Sequence, residues 1–170
     1  MTLKGLKKRY YLWRINRLRP FKHTHLKSKL FNKIPGCSIG KNSTIVGPIY
    51  LNGTSLTIGD DCFIGHDLKC EGNGSIQIGN RCDIAPNVTF LTGSHEIGNK
   101  ERRAGFGKTL KIIIADSCWI GANTIILGKE DGLVVNESSV VGCASNVLNN
   151  VESSTLVAGN PARLIKKLED

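Results

Sequence analysis

The chain has 170 residues, 40% of them apolar and 22% charged, with a formal net charge of +9. That length suits one compact domain, and no apolar run is long enough to span a bilayer as a helix. The charge is segregated: residues 1–33 hold eleven Lys or Arg and no Asp or Glu, while the rest of the chain carries twelve basic and fourteen acidic side chains.

Within this N-terminal arm, residues 1–36, Leu3, Leu6, Tyr10 and Trp13 recur at helical spacing beside Lys4, Lys7, Lys8, Arg9 and Arg14, until Pro20 breaks the pattern. The expectation is a basic amphipathic helix without secretory signal architecture. Two readings follow. Residues 1–33 dock on an anionic membrane surface, where each cation near the headgroups adds roughly 1 kcal/mol, or the apolar stripe packs on the body and the charges face water. No aromatic-interleaved groove or known binding motif accompanies the cations, so nucleic acid is not the expected partner.

From Ile39 the chain keeps a six-residue period: an aliphatic residue, often Gly, two polar positions, a small inward residue and a free one. The aliphatic beats fall at Ile39, Ile45, Leu51; Ile58, Ile64, Cys70; Ile78, Ile84, Phe90; Ile114, Ile120, Ile126; and Val135, Val141, Val147. Extra residues of one, two, eighteen and three all enter after the third hexapeptide of a coil. Such a period marks a stacked solenoid of triangular cross-section, here an all-β body of about five coils over residues 37–155. A protruding loop spans residues 96–113, and a C-terminal cap covers 156–170. The Gly after each beat is read as conformational freedom at a corner.

Cys62, Cys82 and Cys118 share the fifth, inward position of a first hexapeptide, and Cys70 sits on a beat. They read as core-filling thiols, which suit a reducing cytoplasm. Cys37 and Cys143 are less constrained, but no Cys-x-x-Cys spacing supports a metal or redox site.

His95 stands one residue before the eighteen-residue excursion, at a corner position. A neutral imidazole there can take a proton from a hydroxyl near pH 7. An inconsequential surface histidine fits the bare pattern equally well.

Several segments carry a family resemblance: Ile84-Ala85-Pro86-Asn87-Val88-Thr89 leading to Thr92-Gly93-Ser94-His95, Trp119-Ile120-Gly121-Ala122-Asn123, and Val157-Ala158-Gly159-Asn160-Pro161-Ala162-Arg163. Together with the hexapeptides they resemble the left-handed parallel β-helix acetyltransferases, nearest in pattern to sugar and polysaccharide O-acetyltransferases of the galactoside and maltose type. The resemblance covers about residues 37–167. It implies a homotrimer using acetyl-CoA without a metal, with His95 as general base and the loop walling a site between subunits.

The acceptor would meet Asp67, Asn73 and Asn87, each of which is also a good turn former. Pantetheine would lie along Gly121, Ala122, Cys143 and Ala144 beside Trp119, with Arg163 and Lys166 near the nucleotide phosphates. Many relatives have Thr-Lys-Asp where this chain has Leu148-Asn149-Asn150, so one phosphate-contacting lysine is missing.

A zinc hydratase on the same architecture needs three converging histidines, and only His66 and His95 lie on the repeat. A non-catalytic repeat subunit, or an enzyme that acetylates an amino sugar, is the remaining alternative. The arm would suit work on lipid-linked glycans at the inner membrane face.

Overall fold

The computed structural model describes residues 2–169. Two helices, α1 (Leu3–Arg17) and α2 (Thr24–Phe31), precede a parallel β-solenoid. Every aliphatic beat pairs with the beat one coil on. The first face stacks Ile39, Ile58, Ile78, Ile114, Val135 and Val151. The second stacks Ile45, Ile64, Ile84, Ile120, Val141 and Val157. The third stacks Leu51, Cys70, Phe90, Ile126 and Val147.

All of these side chains are buried, each worth roughly 1.5–3 kcal/mol when fully removed from water. The five coils expected from the period are thus followed by a sixth on two faces. The period hid it because Val151 arrives two residues before its beat at 153. The residues assigned to a C-terminal cap therefore include the rung at Val157, and only the strand Arg163–Lys167 turns back, antiparallel, onto Thr155–Ala158.

The first two corners are tight and alike. Each places one residue in the left-handed region: Asn42, Asp61, Arg81, Ser117 and Ser138 at the first corner, and Asp67, Asn87, Asn123 and Ala144 at the second, all with φ between 53° and 60°. Asn and Asp tolerate this region better than other residues with a β-carbon.

The Gly after the beat has a different purpose from the one expected. A β-carbon on Gly59 would lie 2.5 Å from the Gly79 carbonyl oxygen and 2.6 Å from Asn80 Oδ1, and one on Gly121 would lie 2.6 Å from the Cys143 nitrogen. None of these glycines has positive φ; they are needed because stacked coils approach too closely for a β-carbon. The space is used: the Lys41, Asp60 and Asn80 amides donate to Asp60, Asn80 and Asp116 Oδ1 at 2.7, 2.9 and 2.9 Å. The Asn80 amide holds the Asp116 carboxyl below the usual carboxylate range.

Inside the first corner runs a second column. Ser43 Oγ, Cys62 Sγ, Cys82 Sγ, Cys118 Sγ and Ser139 Oγ donate to the carbonyls of Gly59, Gly79, Ala115, Asn136 and Glu152, one coil on. The thiols are therefore donors as well as fillers. All six cysteines are free.

The third corner is built differently. Strands Ile49–Ile58 and Leu68–Ile78 run through it without a break, bending at Gly53 and Gly72, which have φ of 82° and 114°. After Phe90 the chain leaves the body here as an antiparallel hairpin, Thr89–Ile97 against Ala104–Thr109, and rejoins the first face with Lys111–Ile114.

The arm closes the open N-terminal end. Asn16 Nδ2 donates to the Ile49 carbonyl at 2.9 Å while the Ile49 amide donates to Asn16 Oδ1 at 3.0 Å. Asn32 does the same for Ile39, at 3.2 and 2.8 Å. Each amide side chain stands in for the missing neighbouring strand. Lys27, fully buried, donates to the Val46 and Arg19 carbonyls, and burial lowers its pKa.

Ile15, Leu30, Phe31 and Ile34 fill the space beneath the first coil. The stripe Leu3, Leu6, Tyr10 and Trp13 does not pack there: all four are exposed. The cap is made by the opposite face of α1, which corrects the reading in which that stripe seals the body.

Candidate active site

His95 lies on the outgoing arm of the hairpin, opposite Gly107. Its Nδ1 is 2.9 Å from the Gly105 carbonyl. A carbonyl only accepts, so Nδ1 carries a proton in this contact, and the neutral tautomer that fits it has its lone pair on Nε2. The partner that orients the imidazole is thus a backbone oxygen on the returning arm. That is a group with no sequence signature, because any residue at 105 supplies it.

The hairpin is anchored at its base. Lys108 Nζ lies 2.9 Å from Glu130 Oε2, a contact that raises the Lys108 pKa. The Lys111 and Lys129 backbones exchange hydrogen bonds of 2.7 and 3.1 Å. At the tip, Asn99 Oδ1 accepts from the amides of Glu101 and Arg102. Between the returning arm and the next coil is a cleft of about 440 Å³ lined by Ser94, Lys108, Leu110, Leu127, Lys129 and Glu130. Lys129 Nζ is 3.5 Å from Asn149 Oδ1, so a cation does stand beside the segment that lacks the expected lysine.

The other expected site residues divide between corners. Asn73 is at the third corner, beside Gly53 and Gly93. Asp67 and Asn87 are at the second corner in the left-handed position, which by itself favours Asp and Asn. Asp67 Oδ2 is 2.7 Å from His66 Nδ1. Asn87 accepts from Lys69 Nζ at 3.1 Å and donates to Asn123 Oδ1 at 2.6 Å.

Trp119, Gly121, Ala122, Cys143 and Ala144 come together on two stacked coils. Trp119 pairs with Val140, the Ala144 amide donates to the Ala122 carbonyl at 2.8 Å, and Trp119, Cys143 and Ala144 are exposed. Arg163 and Lys166 are on the returning C-terminal strand, opposite Ala158 and Leu156. Within one chain, then, His95 is at the third corner, Gly121, Ala122, Cys143 and Ala144 are at the second, and Trp119, Arg163 and Lys166 are on strands of the second-face sheet. Among the described residues no group of three or more His, Cys, Asp or Glu could hold a metal ion.

No protein-family model matches the chain. It is 28% identical over 134 residues to galactoside O-acetyltransferase of Escherichia coli K12, an alignment covering 78% of this chain and 64% of that protein. It is 30% identical over 145 residues to a Saccharomyces cerevisiae protein named as an acetyltransferase, covering 85% and 72%. A crystal structure of a hexapeptide-repeat acetyltransferase from Vibrio cholerae with acetyl coenzyme A superposes with a TM-score of 0.83 at 27% identity, covering 98% and 88%. The period, the coil geometry and these similarities converge: the chain belongs to the hexapeptide-repeat acetyltransferases of the left-handed β-helix fold.

Proposed function

We propose that the chain transfers an acetyl group from acetyl-CoA directly to a hydroxyl of a sugar or glycan, with His95 as general base. The observation that carries this reading is the Nδ1–H to Gly105 carbonyl bond, which presents a basic Nε2 on an exposed hairpin. The hydroxyl proton passes to Nε2 as the acceptor oxygen attacks the thioester carbonyl. The carbon–sulfur bond breaks, and the same proton leaves on the CoA thiol. Donor and acceptor held together in one site gain most from positioning, so no acyl-enzyme is needed.

The E. coli relative's galactoside supports a sugar hydroxyl as acceptor, and the V. cholerae relative's bound acetyl coenzyme A supports the donor. Because His95 and the corner of Gly121, Ala122, Cys143 and Ala144 lie at different corners of one chain, the complete site needs a second copy. A homotrimer is the closed arrangement proposed here. Each site would then combine one subunit's His95 hairpin with a neighbour's second corner, and Asp67 and Asn87 would serve the acceptor from that neighbour.

The test is CoA thiol release with a panel of sugars and saccharide fragments. His95→Ala is expected to lose at least about a hundredfold in turnover with its melting temperature unchanged. Wild-type turnover by that variant with a good acceptor would end the proposal.

A further inference from the structure

We propose that the outward face of α1 is a docking surface for an anionic lipid bilayer. This goes beyond acetyl transfer and does not depend on it.

Successive residues of a helix are set about 100° apart. Leu3, Leu6, Tyr10 and Trp13 therefore fall within an arc of roughly 80°, in a stripe about 15 Å long. They are 71%, 46%, 51% and 55% exposed. The opposite face is already committed to the solenoid, through buried Ile15, Asn16 on the Ile49 edge and Lys8, whose Nζ donates to the Thr54 carbonyl at 2.6 Å. The helix thus has two apolar faces, and the fold uses one of them.

The cations around the exposed stripe are arranged in a way that water alone does not require. Lys7 and Arg14 lie along one flank by the same helical geometry. The Arg14 guanidinium sits 5.9 Å from the Tyr10 ring centroid, and that of Arg17 sits 5.1 Å from the Trp13 centroid. A row of aromatic and aliphatic side chains edged by Lys and Arg matches the boundary between anionic headgroups and acyl chains. No helix among the described residues is long and apolar enough to cross a membrane, so the stripe would lie in the surface.

Charge selects the occupant. A second copy of this face would bring Lys7, Arg14 and Arg17 against the same three cations, with no acidic residue in either α1. A nucleic acid satisfies the cations but leaves the apolar row without a partner. An anionic bilayer satisfies both.

The experiment is co-sedimentation of the full chain with phosphatidylcholine vesicles, with and without phosphatidylglycerol. Wild type is expected to bind the anionic vesicles at least about tenfold more tightly than the neutral ones. Leu6→Gln with Trp13→Gln, and separately Lys7→Gln with Arg14→Gln, are each expected to lose about tenfold. All four positions are exposed, so the circular dichroism melt should not move.

In a Trp119→Phe background the single remaining tryptophan, Trp13, should shift its emission to the blue on anionic vesicles only. Equal binding to both vesicles, or stripe variants that bind as wild type, overturns the proposal. It is also overturned if the stripe variants change the sedimentation coefficient of the free protein and leave vesicle binding intact, which would assign the face to a second copy. Tighter binding to a DNA duplex than to anionic vesicles has the same force.

Discussion

Two kinds of corner turn the same coil. The first two are closed by a residue at positive φ, and the first is locked between coils: Asp60, Asn80 and Asp116 accept backbone amides outside, and Ser43, Cys62, Cys82 and Cys118 donate to carbonyls inside. At the third, a continuous strand bends at glycine, and its pairing already carries a shift between Gly53 and Ser55. An inserted residue at the first corner would break a column running through several coils. At the third corner it meets a shorter set of contacts, in which the buried Thr54 hydroxyl donates to the Gly72 carbonyl and lies 3.0 Å from the Thr92 hydroxyl. That is why growth, including the hairpin with His95, occurs there, and why the chain also tolerates the early arrival of Val151.

The largest expected effect tests this directly. Two glycines inserted between Asp61 and Cys62 should shift both columns out of step and lower the melting temperature by more than about 10 °C, or prevent folding. The same insertion between Asn73 and Gly74 should cost only a few degrees, on a scale where 1 kcal/mol is about 2–4 °C. Equal losses would refute the distinction between corners.

Next in size is Gly59→Ala, whose β-carbon would meet backbone at 2.5 Å. A loss of about 2–4 kcal/mol by denaturant titration is expected. Gly107→Ala on the hairpin, with nothing within 4 Å, should stay within about 0.5 kcal/mol. If the two alanines cost the same, close stacking is not the reason for the glycines.

A smaller effect concerns the inner column, where serine already fills the equivalent positions 43 and 139. Cys82→Ser should keep the donor and lose less than about 1 kcal/mol. Cys82→Val removes it and leaves the Ala115 carbonyl short of a partner, costing about 1–3 kcal/mol. The hydrogen-bonded Cys118 thiol pushes the Cys82 pKa up to about 11, so maleimide should fail to label it in the folded protein at neutral pH. Exposed Cys143 should react, and added CoA should slow that reaction if the second corner binds pantetheine.

The sequence reading reached the solenoid because inward side chains are periodic and apolar, and periodicity survives in a one-dimensional string. It singled out His95 as a candidate from its place beside the insertion and from the family resemblance. It misassigned the glycines, since conformational freedom and close approach leave the same letter. It stopped one coil short because Val151 is early.

What it left open acts across the chain. The Gly105 carbonyl is common to every residue type, and Asn16 and Asn32 look like ordinary polar residues of an arm until the strands they cap are in place. The stripe Leu3, Leu6, Tyr10 and Trp13 was visible as a stripe, but which face the body would claim depended on Ile15 and Asn16.

Those two asparagines also make the molecule finite. A parallel ladder has no intrinsic length, and its exposed first rung is a template for any strand with matching spacing, including the last rung of another copy. Asn16 and Asn32 occupy the hydrogen-bonding positions of Ile49 and Ile39, so the arm works as a chain terminator. Removing it would expose the Ile39 and Ile49 edges to pairing with strands of another copy.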